Sequence, residues 1–436
     1  MKSRMKKTFF IFILVFMIIV PTGCFDRREI DDMAYPIALG FEKGKTNTLR
    51  ITLQLAVPTA IGGGGGEGGG GGGGGEKSVT ITTVETPTIY SGLNMLNTFI
   101  SKQINLSHAK ALVFSRELAE EGIEKYIHAL IRGREFRPNA YILVSRGSAE
   151  EFIRAVKPQL EANPAKYYEL MLSAYRYTGF TADTQLVNFY HKMESTAIQP
   201  IAVLTGLSKF ETSEDFSVDD STFREKGRAQ PFEGDFKAGD MTKVGDLESE
   251  FMGLAVFDGS KMVGELDGEE TTYHLMVEGK YGYSFVTIPD PKSRGEFVLL
   301  SIKQSRSPEK KVKMVGGKPN IDVKLSLEAD ILSIQSGINY ESSENIDTLE
   351  KASEDFIKEG VVRYLNRTAK TFGTDVCGFG MVMKGKFLTW DQWIDFGWHK
   401  KYRDSTFDVN VDLKIRRPGL IIRTIPAEGT QGEGRD

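Results

Sequence analysis

Near the C-terminal end of this chain, two stretches alternate apolar and polar residues without a break. Ile321, Val323, Leu325, Leu327 and Ala329 form the first, and Phe407, Val409, Val411, Leu413 and Ile415 the second. A period of two places each set on one face of a strand and leaves the other face to water. Between them Ile346, Leu349, Ala352, Phe356, Val361, Tyr364, Leu365 and Thr368 recur at helical spacing. Two half-buried strands and a long amphipathic helix hide their apolar faces most readily against one another. This third of the chain is therefore an α+β layer, expected to have antiparallel strands packed on the helix.

Upstream the two periods alternate. Pro36–Phe41 and Leu49–Val57 read as strands, and Leu49, Ile51, Leu53, Leu55 and Val57 share a face in the second. Val79, Ile81 and Thr83 resume strand alternation, and Ile89, Leu93, Leu96 and Ile100 fit one face of a helix. Ala109–Phe114 reads as a buried strand, followed by a helix capped by Ser115 and stopped at Gly122. Ile123–Ile131 is a further helix, Tyr141–Val144 a strand, and Ser148 with Glu151 a capping box. Helical patterning continues through Tyr168–Ala174 and Asp183–Met193. Residues 211–250 are acidic and loop-rich. Phe251–Phe257, the turn Asp258-Gly259 and Met262-Val263 then form a hairpin. Glu269–Met276 fits a short helix, with Tyr281–Ile288 and Glu296–Lys303 as strands. The expected class is mixed α/β and α+β in three domains, each a central sheet with flanking helices: 24–205, 206–295 and 296–436.

Glycine is concentrated in one place: 13 of the 46 glycines lie within 62–75. Gly71 to Ser78 approaches a phosphate-binding loop, but Glu76 stands before Lys77 and a strand follows where such loops open a helix. Residues 62–76 are therefore read as a flexible loop between two strands.

The N-terminus carries an export pattern. Residues 1–7 hold four basic and no acidic residues, and Phe9–Val20 are twelve unbroken apolar residues. Twelve helical residues rise about 18 Å, short of the roughly 30 Å hydrocarbon core, so a signal peptide over 1–23 is favoured over a membrane span. Thr22-Gly23-Cys24 resembles a bacterial lipobox, with Pro21 where leucine is usual. By that resemblance Cys24 is lipidated and becomes the first mature residue. The four basic residues leave with the signal, so the net charge of -4 becomes -8. Such a balance argues against a nucleic-acid footprint. Two cysteines cannot build a disulfide framework, and Cys377, among apolar neighbours, reads as a buried inert thiol.

Candidate chemistry is sparse. The five histidines form no H-E-x-x-H pair, and no G-x-S-x-G elbow occurs. Glu269-Glu270 reads as a solvated turn, and His108 as a structural hydrogen-bonding group ahead of a buried strand. No catalytic, cofactor-binding or metal-binding residue is assigned, and no cofactor is expected. Arg132, Arg134, Glu135 and Arg137 are the candidate partner contact. Their other reading is a helix C-terminus whose arginines complement the dipole, stopped by Pro138. Trp390, Trp393 and Trp398 read as core or domain seam.

The order of these features resembles one family. Cys24-Phe25-Asp26-Arg27-Arg28-Glu29-Ile30-Asp31-Asp32 resembles the C-W-D-[RK]-R-E-I-x-D opening of the Ger(x)C spore germination lipoproteins, with Phe25 for the usual tryptophan. Ser107-His108-Ala109-Lys110, Leu118 to Ile123, Arg132 to Arg137, Lys261 to Leu266 and Asp375 to Gly380 resemble further family runs, in family order. The glycine tract departs from the pattern as a local insertion. The resemblance implies a lipid-anchored, non-enzymatic C subunit of a nutrient germinant receptor. Its partners would be two integral membrane subunits of A and B type. It would sit on the outer face of the spore inner membrane. The alternatives are a lipid-anchored solute-binding protein of a transporter or an uncharacterised surface enzyme. No internal duplication of the kind expected of a two-lobed solute receptor is visible.

Overall fold

The computed structural model describes residues 4–5, 7–10, 32–46, 48–57, 79–161, 163–208, 223–419, 421 and 424. Cys24, most of the signal segment and the 62–76 glycine tract lie outside the described residues, as does the start of the acidic stretch. The mixed class read from the sequence, sheets flanked by helices, is the class observed.

Fourteen strands are described: β1 (Met33–Ala34), β2 (Pro36–Lys43), β3 (Leu49–Ala56), β4 (Val79–Thr86), β5 (Gln103–Ile104), β6 (Ala111–Ser115), β7 (Tyr141–Ser145), β8 (Ile201–Leu207), β9 (Ser249–Asp258), β10 (Lys261–Leu266), β11 (Tyr283–Pro289), β12 (Phe297–Val315), β13 (Lys318–Ile334) and β14 (Thr406–Arg417). Eight form one sheet in the order β10-β9-β8-β7-β6-β2-β3-β4, four form a second in the order β11-β12-β13-β14, and β1 pairs with β5. The segment 206–295 divides its strands between the two larger sheets, β9 and β10 in the first and β11 in the second.

The centre of the eight-stranded sheet, β2-β6-β7-β8, is parallel, and antiparallel strands extend it on both sides. Its interior strands are buried on both faces, the usual result when helices cover both sides. Leu112, Phe114, Ile142 and Val144 face one core with the helices Ile89–Leu96, Glu124–Arg132 and Leu186–Met193. Ala111, Val113 and Leu143 face the other, with Ala149–Ala155 and Pro164–Ser173. Leu49, Ile51, Leu53 and Leu55 do share one core. The opposite face of β3 is also covered: Gln54 is buried and accepts a hydrogen bond from the Tyr168 hydroxyl at 3.1 Å.

The second core is continuous with that of the four-stranded sheet, so one body of apolar side chains runs from Ile37 to Ile415. The helices Gly268–Glu278 and Ser343–Asn366 carry it across. Two expectations are corrected here. β14 runs parallel to β13, not antiparallel, because the long helix recrosses the sheet before returning the chain. β12 continues well past Lys303 to Val315, paired with β13 around a Gly316-Gly317 turn whose φ values of 57° and 80° suit glycine. Pro308 lies where that ladder slips register, the place a strand tolerates a residue without N–H.

Candidate functional site

The parallel strands give the large sheet two unlike ends. Their carboxyl ends form a crevice between helices leaving on opposite faces, the usual ligand position in open α/β sheets. A cleft of about 310 Å³ lies there, lined by Arg116, Ser145, Arg146, Ser148 and Asp240 among others. Its two arginines are paired with carboxylates of the same chain. Arg146 donates to the Ala238 carbonyl at 2.9 Å and to Asp240 at 2.6 Å, and Arg116 to Glu120 at 2.8 Å. Buried Glu265 lies 3.2 Å from Arg116 and 3.4 Å from Arg146.

The amino ends form the other edge, and the candidate partner contact sits on it. Arg132 ends the helix Glu124–Arg132, where a cation complements the dipole, and Gly133 caps it. Arg132, Arg134, Glu135 and Arg137 are exposed, while Phe136 is buried between them and pins the loop ahead of β7. Partial desolvation first, and the Arg137 charge second, lower the proton affinity of the exposed His108. His108 itself corrects an expectation. Its exposed ring lies edge-on to Tyr35, with 4.6 Å between centroids, so an aromatic contact places it among the described residues.

The tryptophans dock the C-terminal helices on this same edge. Trp393 and Trp398 are 2% and 1% exposed, whereas Trp390 is 56% exposed. Trp393 Nε1 donates to Thr196 Oγ1 at 2.9 Å, and Gln199 Nε2 lies 3.1 Å from His399 Nε2, both on the segment entering β8. Asp375 organises the interior of this seam. Its carboxylate accepts from the backbone N–H groups of Cys377, Gly378, Phe379 and Gly380 and from Trp398 Nε1, at 2.7–3.2 Å. The run Asp375 to Gly380 is thus a structural knot. Gly380 is required there because a methyl would meet the Ala197 carbonyl and the Trp398 indole. Cys377 is buried as expected, and burial pushes its thiol up to about 12, so it is not a nucleophile at neutral pH.

A charged cluster missed by sequence reading joins the two sheets. Glu269 and Glu270 are not a solvated turn. They open the helix Gly268–Glu278, where Asp267 and Glu270 form a capping box. Lys226 pairs with Asp235, Asp267 and Glu269 at 2.6–3.0 Å; Arg228 pairs with Asp235 and Glu269, and Arg367 with Glu270. Four carboxylates face three cations. The excess negative charge falls on Asp267, whose burial and neighbour Glu270 push its carboxyl up to about 7. The partners are far apart in sequence, and adjacent acids with scattered bases carry no periodic signal. Among the described residues, no group of three or more metal-ligating side chains is arranged to hold an ion, and no helix is long and apolar enough to cross a membrane.

Comparison with known proteins gives one consistent result. The family model described as spore germination protein N-terminal domain matches residues 26–206, and that described as spore germination B3/GerAC like, C-terminal, matches residues 252–419. The Bacillus subtilis (strain 168) protein YfkR is 25% identical over 424 residues, 97% of this chain and 100% of its own length. Spore germination protein KC of the same organism is 23% identical over 426 residues, 95% of this chain and 97% of its own. The crystal structure of the GerBC protein matches with a TM-score of 0.51 at 14% identity, covering 87% of this chain and 96% of that one, a likeness of fold. With both domain models matched in order, the chain belongs to the Ger(x)C family of spore germination proteins.

Proposed function

We propose that this chain is the lipid-anchored C subunit of a nutrient germinant receptor, acting without catalysis beside two integral membrane subunits of the spore inner membrane. The observation that carries the reading is the ordered match of both germination domains, 26–206 and 252–419. The chemistry agrees with a binding role. The crevice arginines are paired internally, the free thiol is buried with a raised pKa, and Asp375 is engaged in holding backbone. Cys24 supplies the lipid attachment. Residue 32 then enters the fold eight residues later, beside the amino ends of the parallel strands. Arg132, Arg134, Glu135 and Arg137 lie on that edge and form the contact to a membrane subunit.

The test is deletion of the gene in its spore-forming parent, together with any paralogous receptors, followed by germination with amino acids, sugars and nucleosides. Loss of the response to one nutrient class, restored by the intact gene, is expected. Unchanged responses to every nutrient contradict the reading.

A further inference from the structure

The segment 379–403 presents an apolar rim that the chain leaves uncovered. Leu388 is 93% exposed, Trp390 56%, Met381 54% and Ile394 45%. Trp390 and Ile394 are four residues apart on the helix Trp390–Phe396 and share a face; Trp393 turns inward. The same segment carries Lys384, Lys386, Lys400, Lys401 and Arg403 against Asp391 and Asp395, a basic excess on an acidic chain. Lys384 Nζ lies 4.5 Å above the Trp390 ring and Lys401 Nζ 5.3 Å above that of Phe396. An open cleft of about 440 Å³ between Ile394 and Lys400 leaves room for a polar group. Exposed tryptophan and leucine beside long cationic side chains is the composition that settles in a bilayer interface, with rings at headgroup level and ammonium groups toward anionic lipid.

Position supports the same occupant. The segment is fastened to Thr196 and Gln199 at the amino end of β8. Three strands along the same parallel run, near the amino end of β2, Asp32 leads into the described strands. Adjacent strands lie about 4.8 Å apart, so β2 and β8 are separated by roughly 15 Å. Eight residues from Cys24 to Asp32 reach at most about 28 Å.

We infer that Leu388, Trp390 and Ile394 seat in the headgroup layer of an anionic bilayer, making a second membrane contact beside the N-terminal tether. The reach argument rests on the proposed lipidation of Cys24; the composition of the rim does not.

The test supplies the tether chemically. The chain 24–436 contains every strand and helix of the packed fold. Cys377 is buried, so Cys24 can be coupled selectively to a maleimide lipid. Vesicles of phosphatidylcholine, with or without phosphatidylglycerol, carry a nitroxide in the upper acyl chain. Trp390 is the exposed one of three tryptophans and reports its own depth. Expected in phosphatidylglycerol vesicles is nitroxide quenching that vanishes in Trp390→Phe and in the double variant L388E/I394E, with unchanged thermal melting. Trp390 emission open to aqueous acrylamide and untouched by nitroxide lipid overturns the proposal. Equal quenching in pure phosphatidylcholine overturns the anionic requirement. Crosslinking from a photoreactive residue at 390 to protein, and not lipid, in native membranes assigns the rim to a protein partner and overturns it also. The Cys24 reading is judged separately, by mass spectrometry of the native N-terminus.

Discussion

Asp375 accepts five N–H groups, and its removal has a ranked set of consequences. Burial raises its carboxyl above the usual range, and the donated hydrogen bonds offset part of that. Asp375→Ala orphans all five donors at about 1–3 kcal/mol for each buried group left unpaired, so a loss above about 3 kcal/mol is expected. Asp375→Asn sets an amide N–H against donors and costs less than alanine. Trp398→Phe deletes one donor and should cost about 1–2 kcal/mol. Urea denaturation gives the order, and an unaffected alanine variant would remove the knot from the account. Asp267 makes a pH prediction with a definite sign. Its folded pKa of about 7 exceeds its ordinary 3.8, so the native state holds the proton longer. Stability from this group is full below about pH 4, declines as pH rises toward 7 and is level above. Glu269, buried beside Lys226 and Arg228, is lowered and acts oppositely, losing stability only as pH falls below its ordinary range. Thermal melts from pH 5 to 8 should fall for the native chain and stay flatter for Asp267→Asn. Equal slopes would contradict the assignment. At this scale the sequence revealed Cys377 as buried and the arginine run as a helix end, because both depend on near neighbours. It concealed Asp375 as an acceptor and Asp267 within an ion cluster, because their partners arrive from distant segments.

Local periodicity carries the elements it can reach. Ser115 accepts from Leu118 N–H and Gly122 ends the helix at φ 120°, as the residue types require. Ser148 accepts from Glu151 N–H, half of the expected capping box. β12 beyond Lys303 was obscured because Ser305 to Lys311 are almost wholly polar. Its far half is held by pairing with β13, and only Val312, Met314 and the Gly316-Gly317 turn mark it in the sequence. The direction of β14 was equally hidden, since alternation specifies a face and not a polarity. The glycine tract joins strands that pair fully, from Leu49 with Thr86 to Ala56 with Val79. Loop-closure entropy changes slowly with length, so deleting residues 62–75 should leave the melting temperature unchanged. Residues 57–61 and 76–78 remain to make the turn. A marked drop in melting temperature, or loss of soluble protein, would assign the tract a structural role.

Across the whole molecule the two ends of the parallel strands separate unlike surfaces. The carboxyl ends hold a cleft whose arginines are paired internally. The amino ends gather the chain entry at Asp32, the strand ends Ala56 and Val79 that flank the glycine tract, the exposed arginines and the tryptophan-bearing helices. The helix Gly268–Glu278 and the Lys226 cluster bind the two large sheets together, so contacts at either half load one body. Sequence order was enough to show the family, because family motifs survive as short runs. It did not show that these runs converge on one edge, which depends on the parallel register of β2, β6, β7 and β8. The proposed receptor role is tested most directly by what this edge holds in the spore. Affinity purification of the tagged chain from detergent-solubilised spore membranes, with quantitative mass spectrometry, should recover two integral membrane subunits in comparable amounts. Charge reversal of Arg132, Arg134 and Arg137 together should lower that recovery while the chain itself stays folded. Recovery of a permease and an ATPase, or of the chain alone from intact membranes, would contradict the account.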